Sequence, residues 1–152
     1  MSRLRQDLIE EYKKNIEKMI TDFDDYDSKV KCMRSNHAAK RNRKIATIIE
    51  QKHPELKASF VELLDSEDFE IKMWVAHHIV EVMNYDKAIR LRALDLIIYR
   101  ALHDEYDFNK MGESMWLNRY FDEHPEDNVT GWNWKFDPST VDYDLVRQHN
   151  IR

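Results

Sequence analysis

The chain has 152 residues, 24 Lys and Arg against 29 Asp and Glu, and a formal net charge of −5. Apolar residues make up 42% and aromatics 11%, which excludes the aromatic-poor composition of a disordered chain. Two Gly and three Pro stand where average usage gives roughly 18 of the two together, which argues against turn-rich sandwiches and barrels, and a single Cys excludes an internal disulfide framework.

The elements follow from apolar spacing. Leu4, Leu8, Ile9, Tyr12, Ile16, Met19 and Ile20 step by three and four and predict a first amphipathic helix, ended by Asp22-Phe23-Asp24-Asp25. A short helix is predicted over 26–35, with Tyr26, Val30 and Met33 inward, and a third over 37–52, with Ala38, Ile45, Ile48 and Ile49 inward. His53-Pro54 ends it, because the residue before proline avoids the helical region, and Pro54 suits the first turn of the next helix. Residues 55–64 and 69–83 read as a helix pair. The second is apolar on two sides and therefore buried between neighbours, with Trp74 and Ile79 expected deep inside. A helix over 86–102 uses Ala88, Leu91, Leu94, Ile98 and Leu102; one over 107–121 uses Phe108, Met111, Met115, Trp116, Leu117, Tyr120 and Phe121. Asp137-Pro138-Ser139-Thr140 predicts a capped start to a short helix over 138–147. The domain reading is a helical body over 1–121 and a C-terminal extension, 122–152, packed on it.

Charge is segregated along the chain. Lys29, Lys31, Arg34, Lys40, Arg41, Arg43 and Lys44 form a basic stretch with no acid. Asp104, Glu105, Asp107, Glu113, Asp122, Glu123, Glu126 and Asp127 face only Lys110 and Arg119 between residues 103 and 128. One end of the molecule is expected to be positive and the other negative.

Residues 60–82 carry an apolar helix ending Leu63-Leu64, an acidic turn, and then Ile71-Lys72 opening a helix that contains Ala76. This resembles a HEAT-type unit, with Ile71-Lys72 where the pattern has Val-Arg and Ala76 where a small residue lets helices close up. The wider stretch from Asn36 to Ile98 is similar to a bacterial HEAT-like domain family of unknown function: Asn42-Arg43-Lys44 matches its Asn-basic pair and Asp86-Lys87-Ala88 its next helix start. Trp74-Val75-Ala76-His77 is bulkier than the usual Ala-rich run. The resemblance implies an all-α, HEAT-like stack of about seven helices, with extended surfaces of the kind that bind macromolecules; the last 30 residues have no counterpart in it and read as an irregular aromatic-rich tail.

No constellation points to catalysis. Adjacent His77 and His78 point about 100° apart on a helix and cannot readily share a metal, so they read as core or interface histidines. Cys32 and His37 lack a third group to orient a base. Acidic stretches starting at Asp22 and Asp107 do not supply both the Gly and the Glu that an EF-hand requires. Asn128-Val129-Thr130 matches a glycosylation sequon by letter only. Asn42 falls on the apolar side of its helix, so its amide is expected to bond a neighbouring helix end. No cofactor, metal or small-molecule substrate is expected. With no apolar run near the ~20 residues of a membrane span and no signal-peptide pattern in Met1-Ser2-Arg3-Leu4-Arg5, the expected location is cytoplasmic.

Trp132-Asn133-Trp134-Lys135-Phe136 packs three aromatics into five residues, with acids on both sides. The rings are expected mainly to pin the tail; as a surface they would form an aromatic anchor within an acidic rim. The partner-binding candidates are Trp116, Tyr120, Asp122, Glu123, Glu126, Asp127, Trp132 and Trp134, suited to a basic protein partner. The expected function is a non-catalytic protein-binding module, an immunity or antitoxin-type protein that neutralises a basic toxin or effector such as a nuclease. The alternatives are a HEAT-like adaptor or scaffold subunit and a nucleic-acid-binding or base-repair protein using Lys29–Lys44. Net acidity and the lack of aromatics within that stretch count against nucleic acid.

Overall fold

In the computed structural model, residues 2–23 and 29–137 are described, those of 2–6, 20–23 and 29–35 by their helical backbone alone. Six α-helices follow in order: α1 (Ser2–Phe23), α2 (Lys29–Lys52), α3 (Lys57–Glu62), α4 (Phe69–Glu81), α5 (Lys87–His103) and α6 (Asp107–Glu123). Single 3₁₀ turns at Pro54–Leu56, Leu63–Asp65 and Pro125–Asp127 complete the architecture, and no strand occurs among the described residues. The predicted helix over 138–147 and the side chains of Tyr26, Val30, Cys32 and Met33 lie outside them.

The two helices expected over 26–35 and 37–52 are one. With neither Pro nor Gly between residues 35 and 37, continuing the helix costs only a few tenths of a kcal/mol per residue, and α2 runs through. His53 closes α2 by donating its N–H to the carbonyls of Ile48 and Ile49, and Pro54 opens the next turn as expected. Asp68 caps α4, its carboxylate accepting the N–H groups of Glu70 and Ile71.

The chain divides into two compact units, Met1–Ala93 and Leu94–Arg152. The core of the first is Tyr12, Ile16, Ile45, Ala46, Ile49, Phe60, Met73, Val75, Ala76 and Ile79. α1 lies along α2 and also reaches α4. Ile79 is fully buried, whereas Trp74 is only half-buried: it sits at the edge of the Ile71–Val75–Ile79 stripe, and an indole there keeps one side to solvent.

Polar groups link these helices. Asn42 is fully buried; its Nδ2 donates to the Tyr12 carbonyl at 3.0 Å, and its Oδ1 accepts from Asn15 at 2.9 Å. The amide therefore bonds the middle of α1, not a helix end. Nearby, Arg41 grips Glu11 with two hydrogen bonds of 2.6 and 3.0 Å, which hold the Glu11 carboxyl below its ordinary value. The Tyr12 ring meets Phe60 edge-on at 5.0 Å, and its hydroxyl lies 2.6 Å from Nδ1 of His78 on α4. Burial pushes the His78 imidazole down from 6.5 to about 4, outweighing the pull of Glu81, with Arg43 and His77 adding to the depression.

A second knot fixes the loop between α4 and α5. Glu50 accepts the Asn84 N–H at 2.7 Å and pairs with Lys57 at 2.8 Å. Lys57 also bonds the Asn84 carbonyl and lies 4.6 Å over the Tyr85 ring, while the Tyr85 hydroxyl returns a bond to the Lys57 carbonyl. Burial raises the Glu50 carboxyl, but the Asn84 and Lys57 bonds overcome it and the net shift is downward.

In α5 the buried residues are Ala93, Leu94, Ile97 and Ala101: Leu94 is buried as expected, but beyond it the row runs through Ile97 and Ala101 instead of Ile98 and Leu102, and Ala88 and Leu102 face solvent. Both stripes are apolar at helical spacing. The one with two alanines is buried, because small side chains allow closer packing.

Two measurements test this core. Ile79→Ala should lower stability by roughly 2–5 kcal/mol in chemical denaturation; a change within error would place α4 at the periphery. The His78 imidazole predicts a pH slope. Above pH 6.5 it is neutral folded and unfolded; between 6.5 and about 4 the unfolded chain takes up a proton that the folded chain excludes. Stability should therefore drop as the pH is lowered through that window, by about 1.4 kcal/mol per unit from this group. His78→Asn, which keeps a polar atom near Nδ1 without titrating there, should flatten that part of the profile.

Candidate functional site

The second unit contains all the sequence-derived partner candidates, and the structure separates them. Trp116, Tyr120 and His124 form a ladder on one side of α6, with Trp116 and Tyr120 stacked at 5.2 Å and Tyr120 and His124 at 4.5 Å. Tyr120 is buried, and its hydroxyl donates to Oδ2 of Asp127 at 2.8 Å. Asp127 is itself only 2% exposed. It is thus an internal acceptor that locks the Pro125–Asp127 turn onto α6, and it cannot belong to a solvent-facing rim. Asp122, Glu123 and Glu126 are exposed and remain as that rim.

The tail segment is pinned by two asparagines. Asn118 on α6 accepts the indole N–H of Trp132 at 2.8 Å and donates to the Trp134 carbonyl at 2.9 Å. Asn128 accepts the Trp132 N–H at 2.7 Å and donates to its carbonyl at 3.1 Å, closing the 128–132 loop. Gly131 makes that loop possible with φ of 71°, a conformation costly for any residue with a Cβ. Trp132 and Trp134 are half-buried, with Phe136 exposed beyond them. The Trp132 indole N–H and the Trp134 carbonyl therefore tie their segment to α6. Asn118 and Asn128 were missed by sequence reasoning. The sequon drew attention to Asn128 for the wrong chemistry, and only the tertiary fold shows an amide reaching across a loop.

The electrostatics of α6 are unusual at its C-terminal end. The last turn holds Asp122 and Glu123 and no basic residue. Acids there oppose the helix dipole, each at a cost of about 0.3–1 kcal/mol. The backbone N–H of His124 closes on the Tyr120 carbonyl, and its ring lies 3.6 Å from Glu126.

At the opposite end, Asp104 organises the corner between α5 and α6. Its carboxylate takes Nε of Arg100 at 3.0 Å, the Tyr106 N–H at 2.8 Å and Nδ2 of Asn109 at 3.2 Å. Both charged side chains of the Arg100–Asp104 pair are largely buried.

The other sequence candidates assemble no site. His78 belongs to the core, and His77 faces Glu81 at 3.6 Å on its own helix. No cluster of three metal-ligating side chains occurs among the described residues, nor any described helix long and apolar enough to cross a membrane. In the basic stretch, Lys40, Arg43 and Lys44 are exposed while Arg41 is engaged by Glu11; the side chains of Lys29, Lys31 and Arg34 lie outside the described residues. No family model, curated protein or solved structure matches the chain.

Asn118→Ala should release both tail bonds at once. The expected result is a loss of about 1–3 kcal/mol with a red shift of tryptophan emission as Trp132 and Trp134 become wetter. Unchanged emission would mean that the segment is held by its rings alone.

Proposed function

We propose that this chain is a non-catalytic protein-binding module of the immunity or antitoxin kind, which neutralises a basic toxin such as a nuclease. One observation supports the reading best. Among the described residues, every exposed large apolar side chain lies between Tyr99 and Phe136: Tyr99, Leu102, Tyr106, Phe108, Met115, Val129 and Phe136. Among them the exposed acids Glu105, Asp107, Asp122, Glu123, Glu126 and Asp137 outnumber the exposed Arg119 and Lys135. Exposed apolar groups within an acidic surround fit a protein partner with apolar side chains and surplus positive charge. The acids at the end of α6 add to this, since a partner's Lys or Arg there would relieve an unfavourable arrangement.

A HEAT-like body fits the same reading, as such helical stacks usually present surfaces to macromolecules. An adaptor or scaffold role would use the same surface with a different partner. The nucleic-acid reading is weakened, because Arg41 is drawn into a two-bond pair with Glu11.

The test begins with the product of the directly neighbouring gene. Expressed alone it should arrest growth, and co-expression of this chain should restore it. In stopped-flow binding, reversing Glu123 and Glu126 to Lys should slow association about tenfold at low salt, the effect shrinking as the Debye length falls to ~8 Å at physiological ionic strength. An acidic cognate partner would end the proposal. So would tight binding to duplex DNA with a salt slope governed by Lys40, Arg43 and Lys44.

A further inference from the structure

Protein-binding surfaces draw most of their affinity from a few rigidly held apolar and aromatic side chains, and rigidity lowers the entropy lost on docking. The tail tryptophans are poorly presented for docking: both are half-buried, with the Trp132 indole N–H and the Trp134 carbonyl bonded to Asn118. The corner between α5 and α6 is both exposed and rigidly held. Tyr99 and Leu102 stand one turn apart on α5, 56% and 55% exposed. Tyr106, at the start of α6, is 63% exposed, and Phe108 follows at 37%. Four large apolar side chains thus face solvent within ten residues.

The backbone carrying them is fastened. Asp104 bonds Arg100 one turn back, the Tyr106 N–H ahead, and the Asn109 side chain within α6. The three bonds tie the end of α5, the connection and the start of α6 to one carboxylate. An exposed apolar corner on an otherwise loose loop would be ordinary; one held by a largely buried ion pair is preorganised.

Charge selects the occupant. From residue 95 to residue 110 three exposed acids, Asp95, Glu105 and Asp107, face one partly exposed base, Lys110, which lies 4.0 Å from Asp107; the guanidinium of Arg100 is engaged by Asp104, and the exposed His103 ring lies 4.8 Å from that of Tyr99, so the surplus is acidic. We propose that the Asp104-clamped corner bearing Tyr99, Leu102, Tyr106 and Phe108 is the anchor point for a basic protein partner, taking a segment that places an apolar side chain beside Lys or Arg. This rests on the proposed protein-binding function and moves its centre from the tail to the corner. Phenol rings also accept a cation over their faces, which suits such a segment.

The probe is a phage-displayed library of random dodecapeptides selected on the full-length chain at physiological salt. Recovered peptides should combine Lys or Arg with large apolar residues. Leu102→Ser and Tyr106→Ser, at exposed positions and expected to leave the far-UV spectrum and melting temperature unchanged, should each weaken synthetic versions about tenfold or more. Hydrogen exchange should slow at residues 99–108 on binding, and Trp134→Ala or Glu123→Lys should change the affinity much less. Peptides that bind Leu102→Ser and Tyr106→Ser as tightly as the parent overturn the corner. If those peptides are basic and lose binding on Trp134→Ala or Glu123→Lys, the corner fails while the basic-partner reading stands. Acidic peptides, or none recovered, count against both. A homodimer in sedimentation that Tyr106→Ser converts to monomer also overturns the inference, since the occupant is then a second copy of this chain.

Discussion

Tyr12 is engaged at three points. Its carbonyl receives the Asn42 amide from α2, its ring meets Phe60 of α3 edge-on, and its hydroxyl reaches His78 of α4. The geometry of the first unit depends on this residue because the polar contacts are directional. A one-turn slip of α1 along α2, about 5.4 Å, would leave the apolar stripe roughly matched but strand the Asn42 amide without partners. An unsatisfied buried group of that kind costs about 1–3 kcal/mol, a large fraction of a small domain's stability. Apolar burial drives the helices together; Asn42 and Tyr12 select the register. His78 adds a second condition, since burial of its ring disfavours the charged form.

The scarcity of glycine and proline has a structural counterpart. Pro54, Pro125 and Gly131 serve three of the turns, and carboxylates and amides fasten the connections. Asp68 caps α4, Asp104 fastens the α5–α6 corner, Glu50 holds Asn84, and Asn128 closes the loop before Trp132. Several acids that would count toward surface charge are therefore internal fasteners. Asp127 is the clearest case, buried under the Tyr120 hydroxyl.

The two units differ in what they leave exposed. In the first, no large apolar side chain among the described residues is exposed, whereas the second exposes seven. The second unit also breaks a local rule by ending α6 in acids. Departures from local consistency concentrate where a protein has work beyond folding. The exposed apolar side chains of the Asp104 corner lie at the other end of the same helix, and both features fall in the second unit, which is why the proposed function is placed there.

The spacing of apolar residues determined the α class, the first helix, the break at His53-Pro54 and the burial of Ile79, because each depends on contacts within a few residues or on the rigid chemistry of proline. The same spacing placed Asn42 on an apolar face and so required it to find a partner. Which partner was decided only by packing: an amide can bond any carbonyl within reach, and the Tyr12 carbonyl is thirty residues away. The same holds for the α5 stripe, where two overlapping apolar rows were equally legible and close approach favoured the one with alanines. It holds for the candidate surface too. Trp132, Trp134 and Asp127 carry the residue types of an interface, yet Asn118, Asn128 and Tyr120 turn them inward or hold them in place, while Leu102, which falls on the expected core stripe of α5, faces solvent. Residue type sets what a side chain is able to do; which side of the molecule it faces follows from long-range hydrogen bonds and packing that no local pattern encodes.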